Sequence, residues 1–189
     1  MEKNDHHLVL GELIDYLSGE TLADTHDERY LQSMARILVD QCGYDRGDIL
    51  KNQPLEVKAG DRAARIRVSF QVKFQDRLAL VIQYAPGSLV TRRLSNLALS
   101  RALADYQIPV AVTYNGEDAE IIDGVTGKVL GQGLDALPSR AALADHIEQL
   151  GDAAFAPLSP NLKEKAHRIV HACQVDGACP CDTDICILD

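Results

Sequence analysis

Two groups of residues can do chemistry by type and spacing. Cys173, Cys179, Cys181 and Cys186, four of the five cysteines, crowd into the last seventeen residues, and His167 and His171 sit just before them. Soft sulfur ligands at Cys-x5-Cys-x-Cys-x4-Cys can close a tetrahedral zinc site or hold an iron–sulfur cluster. The spacing is neither a zinc ribbon nor a ferredoxin pattern, so redox disulfides and ordinary thiols stay open as alternatives. Cys42 stands alone on the apolar stripe of a helical pattern, where it reads as a small core residue. His6 and His7 form a pair near the start and read as no metal site.

The second group is cationic. Between Lys58 and Arg101 lie nine basic residues (Lys58, Arg62, Arg65, Arg67, Lys73, Arg77, Arg92, Arg93, Arg101) against Asp61 and Asp76. That stretch carries +7 in a chain of net charge −9. A whole-molecule negative potential repels phosphate, so any nucleic-acid surface is confined to this segment. A solvated sheet edge kept soluble by its charges is the plain alternative.

The elements that must position these groups follow from periodicity. His7 to Leu17 has helical spacing and is expected as an N-terminal helical arm, residues 1–23. Thr25 with Glu28 three residues on is a capping-box pattern opening a helix whose stripe is Leu31, Met34, Ala35, Leu38, Val39 and Cys42, stopped by Gly43. Leu50 to Lys58 reads as an edge strand. In the next strand Ile66, Val68, Phe70, Val72 and Phe74 alternate with Arg65, Arg67, Ser69, Gln71 and Lys73, predicting one apolar and one cationic face. Leu78 to Tyr84 is continuously apolar, as a central strand covered on both faces should be. A helix to about Tyr106 follows Ala85-Pro86-Gly87-Ser88, then short strands at Val110–Tyr114, Ala119–Ile122 and Lys128–Leu130. The fold class is therefore α/β, a mixed sheet with a crossover helix, spanning 24–138. A helical extension at 139–173 and an irregular cysteine-rich tail at 174–189 complete the expectation.

In this order of pieces the stretch from Asp24 to about Asp123 resembles the N-terminal nuclease domain of type I restriction enzyme R subunits, in the restriction-endonuclease-like superfamily. The likeness rests on the helix DERYL closed at Gly43-Tyr44, the strand PLEVKAG, the Arg-led strand RIRVSF, the central strand LALVIQ, a Pro-Gly loop, a helix leading to Tyr106, and VAVTYNGEDAEIID. The resemblance implies an acid on the Arg-led strand and an E-x-K on the central one, which together hold Mg²⁺ and position the attacking water. Here Arg67 stands for the acid, with Ser69 its neighbour on the same face, and the E-x-K falls on Gln83-Tyr84-Ala85. In the following helix Tyr106 matches a Q-x-x-x-Y pattern whose glutamine is Ala102.

With no anionic oxygen at these positions, the expected function is a catalytically degenerate domain that binds nucleic acid or another phosphate-bearing ligand, or acts as a scaffold. Arg65, Arg67, Lys73, Arg92 and Arg93 are the candidate phosphate contacts. A metal-dependent endonuclease using relocated acids, Glu28 with Asp61, is one alternative, and a metal or redox sensor built on the tail cysteines is another. Mg²⁺ is expected only for the relocated nuclease. Partners are nucleic acid, a protein, or a second copy; no apolar run reaches the roughly 18–20 residues of a membrane span, and a cytoplasmic location is expected.

Overall fold

The computed structural model of the chain describes residues 8–177 and 185–188. The expected core elements form. Helix α1 (His26–Arg36) starts where the Thr25 hydroxyl accepts the Glu28 N–H, and it continues through a π-type turn at Ile37–Gln41. The second half of the capping box is not made, because the Glu28 carboxylate turns to Gln32 and Lys51 instead. Strands β3 (Ile49–Ala59), β4 (Arg62–Phe74) and β5 (Arg77–Tyr84) follow as two hairpins. The tight loop between β4 and β5 places Gln75 and Asp76 at φ of 50° and 63°. A two-residue loop must do so to match the right-handed twist of its strands.

Helix α2 (Leu89–Ala102) carries the chain across to β6 (Val110–Tyr114), which lies parallel to β5, and β7 (Ala119–Asp123) and β8 (Val129–Gln132) extend the sheet antiparallel. The order is β3-β4-β5-β6-β7-β8. Serine hydroxyls cap the last two helices, Ser139 for α3 (Arg140–Leu150) and Ser159 for α4 (Pro160–Val170), each accepting an N–H three residues on. Helix α1 and Leu143 of α3 bury their apolar sides with Phe70, Val72, Leu80, Ile82, Val112 and Tyr114. Helices α2 and α4 cover the other core, which includes Val57, Ala64, Ile66, Val68, Val81 and Ala111. No helix among the described residues is long and apolar enough to cross a membrane.

Three expectations are corrected. The N-terminal arm is a hairpin, β1 (Gly11–Ile14) with β2 (Thr21–Asp24), because the Asp15 carboxylate accepts the Leu17 and Ser18 N–H groups and Gly19 takes φ of 78°. That side-chain turn outweighs a helical spacing only three turns long. The tail is not wholly irregular, since β9 (Cys186–Leu188) pairs with Ala63–Arg65 of β4. Finally, the apolar row of β4 serves two cores: Ala64, Ile66 and Val68 face α2 and α4, whereas Phe70 and Val72 face α1. The change falls opposite Asn52, whose φ of 53° interrupts the pleat without shifting the β3–β4 register, and a register shift against β5 lies at Val72/Lys73. Arg65, Arg67 and Lys73 therefore do not form one continuous cationic row.

Candidate functional site

Strands β4 and β5 pair from Phe74–Arg77 to Phe70–Ile82 and then part. At this parting stand Ser69, Gln83 and Ala85, among the residues that the sequence resemblance aligned with metal chemistry. Side chains replace the missing backbone rungs there. The Gln83 carbonyl accepts the Ser69 N–H at 3.3 Å, its amide donates to the Arg67 carbonyl at 3.2 Å, and the Ser69 hydroxyl accepts the Tyr84 N–H at 2.9 Å. The Ala85 N–H donates to the Tyr114 carbonyl, which ties the end of β5 to β6. Gln83 is thus a neutral staple between diverging strands, bonded to the backbone of Ser69 and of Arg67, whose side chain is exposed.

This donor set does not fit Mg²⁺. A hard dication needs carboxylate oxygens, while here the one amide oxygen and the one hydroxyl already accept backbone hydrogens and the remaining side chains are a guanidinium and a methyl. On the α1 side, Tyr84 donates to Asp27 at 2.8 Å and its ring lies 5.9 Å from both Tyr30 and Tyr114. Burial, with the hydrogen bond to Asp27 and its charge, pushes the Tyr84 hydroxyl well above its usual range, so it stays a neutral donor.

The acids proposed for a relocated centre do not meet. Asp61 sits at the tip of the β3–β4 hairpin, beyond the Ala59–Arg62 pair, whereas Glu28 contacts Lys51, which pairs with Phe70. Eight residues of strand separate Lys51 from Ala59, roughly 26 Å at about 3.3 Å per residue. Glu28 instead joins a cluster that the sequence analysis missed. The Lys51 ammonium lies 2.5 Å from Asp15 and also binds Glu28, and the Gln32 amide bonds both carboxylates at 2.8 and 2.7 Å. Side-chain exposures are 9% for Lys51, 4% for Asp15 and 13% for Glu28. Burial alone would raise the Asp15 carboxyl, but hydrogen bonds from Lys51, the Ser18 N–H and Gln32, with the Lys51 charge, hold it below the usual carboxylate range. Only the D-Y-L-S-G turn pattern and a lone lysine amid strand residues hinted at this cluster.

Most of the cationic segment is spent internally. Arg93 makes a forked pair with Glu120 at 2.8 and 2.6 Å, Glu120 being 0% exposed, and Gln132 adds a third bond. Arg62 pairs with Asp176, Lys58 with Glu56, and Arg101 bonds Gln107 and the Gly124 carbonyl. Arg77 lies over the rings of Tyr106 and Phe155. Arg65, Lys73 and Arg92 make no ion pair with a described residue. Lys73 stands at the far end of β5, opposite Leu78, while Arg92 lies in the first turn of α2, just past the Gln83–Ala85 segment. Of the tail ligands, Cys173 is half-buried on the turn after α4 and Cys186 is exposed on β9, and Cys179 and Cys181 lie outside the described residues. Cys42 is buried, which pushes its thiol up and keeps it unreactive.

The family model of the type I restriction enzyme R protein N terminus matches residues 26–138, from the start of α1 to the loop before α3. No curated protein matches the chain, and no solved structure does.

Proposed function

Since the chain belongs to the family of type I restriction enzyme R protein N termini, we propose that it is a restriction-endonuclease-like domain that does not cleave and that contacts the phosphate backbone of nucleic acid. The observation that carries the non-cleaving half is the Gln83 staple, a neutral hydrogen-bonded bridge at the metal position. Cleavage of a phosphodiester by this fold needs acids that hold Mg²⁺, whose charge would offset that of the phosphate and lower the pKa of the attacking water. A serine, a glutamine and an alanine supply no anionic oxygen to hold it.

The binding half rests on Arg65, on β4 beside β9, and Arg92, in the first turn of α2, neither of which is paired with a described carboxylate. Two phosphate contacts give a modest salt slope, close to −1.8 at about 0.9 per contact, so a fourfold rise in salt should weaken duplex binding about 12-fold. Fluorescence anisotropy with a labelled duplex measures this, alongside incubation of plasmid with Mg²⁺ or Mn²⁺. A slope near −1.8 that flattens in Arg65→Glu/Arg92→Glu, with intact plasmid, is expected. Cleavage removes the first half of the reading; absent or salt-independent binding removes the second and leaves a protein scaffold.

A further inference from the structure

Strand β4 is thirteen residues long, and β3 covers one of its edges almost completely. Its other edge is divided. Strand β5 takes Phe70–Phe74, the Gln83 amide bonds Ser69 and Arg67, and β9 takes Ala63–Arg65. β9 thus lies end to end with β5, as a second strand on the same edge. Unlike every core strand, it is only three residues long, and its central residue, Ile187, is 71% exposed although it pairs with the fully buried Ala64. Ile185, just ahead of it, packs partly against the α2–α4 core.

We propose that the Ala63–Arg65 edge of β4 is a strand-addition site for an extended peptide segment of a partner protein, and that β9 is its occupant in cis. The chemistry of the fit is read from that occupant. A strand adds by main-chain hydrogen bonds to a sheet edge, and alternate side chains give the specificity. Ile185 packs partly against the core while Ile187 stays mostly exposed, so the partner segment carries an uncharged, branched apolar residue at the position of Ile185. Its direction is antiparallel to β4, like that of β9. Three rungs with little apolar burial barely offset the entropy of ordering the strand, so β9 opens far more often than the β3–β4 ladder beside it. An exposed edge of this kind is a template for pairing, and this chain supplies its own cover. The edge carries Arg65, one of the two proposed phosphate contacts, but strand addition uses its main chain, which pairs with Cys186, and does not depend on nucleic-acid binding.

The test uses the full chain and a variant, Cys186→Pro, which removes a ladder N–H from β9. The probe is a fluorescein-labelled peptide of residues 184–189 with serine at 186, followed by anisotropy under reducing conditions. Tenfold or tighter binding to Cys186→Pro than to the unaltered chain is expected, with loss of binding for the peptide bearing Ile185→Asp. In the unaltered chain, hydrogen exchange should be at least a hundredfold faster at 186–188 than at 68–72. Equal affinities, no binding by the variant, or exchange at 186–188 as slow as in the ladder overturns the proposal.

Discussion

Replacing Lys51 with methionine tests whether the Asp15–Glu28 cluster is a structural ion triad or a poised metal site. In the native chain one ammonium neutralises two carboxylates that are almost fully excluded from water. Methionine keeps the volume and removes the charge. Asp15 retains the N–H groups of Leu17 and Ser18, and Gln32 still donates to both acids. Breaking a buried pair on one side costs about 3–5 kcal/mol, and these remaining donors put Lys51→Met at the lower end, about 3 kcal/mol. For a chain of this size that lowers the melting temperature by about 6–12 °C, measurable by circular dichroism. Adding Asp15→Asn and Glu28→Gln removes the stranded charges and should restore at least half of the loss.

The pH dependence has a definite sign. In the native chain the folded Asp15 carboxyl is held low, so its contribution is full above about pH 4 and fades as pH falls through the folded value. In Lys51→Met burial pushes the same carboxyl up, and protonation then relieves the variant. The gap between the two melting curves should therefore narrow from pH 7 toward pH 4. A variant melting within about 2 °C of the native chain, a triple variant no better than the single one, or a gap that widens on acidification would refute this account. Millimolar Mg²⁺ should leave the native melting curve where it is; a stabilising shift lost in Asp15→Asn/Glu28→Gln would point to a metal site.

Neighbouring arginines should behave oppositely. Arg93→Met strands the buried Glu120, whose carboxyl the Arg93 hydrogen bonds hold low, and should lower the melting temperature without changing the salt slope of nucleic-acid binding; Arg92→Met should do the reverse, as paired melting and anisotropy titrations would show. In Ser69→Asp/Gln83→Glu/Ala85→Lys the missing donors return to the parting of β4 and β5, so calorimetry should detect Mn²⁺ binding that the native chain lacks; no binding would mean that more than side-chain identity was lost. Gln83→Ala leaves the Ser69 N–H without its acceptor, a cost of about 1–3 kcal/mol in a urea unfolding curve.

Much of the core was legible along the chain because its periods are unambiguous. Strict alternation in RIRVSFQVKF, a continuous apolar run in LALVIQY and the Thr25 cap each specify an element from local chemistry alone, and their order sufficed for the family resemblance. That Arg67, Gln83 and Ala85 stand where the resemblance implies an acid, a glutamate and a lysine was equally visible. What residue types could not say was how those replacements are used. Gln83 proves to be a staple because only the tertiary structure shows that β4 and β5 part at Ser69.

Charge was the least legible property. A sum of +7 over forty-odd residues says nothing about pairing, since Arg93 meets Glu120 from 27 positions away and Arg62 meets Asp176 from 114 away. The same holds for Lys51, Asp15 and Glu28, brought together from three separate elements. The sequence by itself determined the order of elements and that no carboxylate stands at Arg67, Ser69, Gln83 or Ala85, because both are local facts of residue type and period. The tertiary structure decided which cations are already spent, where the remaining acids gather, and that the tail returns as a strand, because ion pairing and edge pairing depend on distances through space.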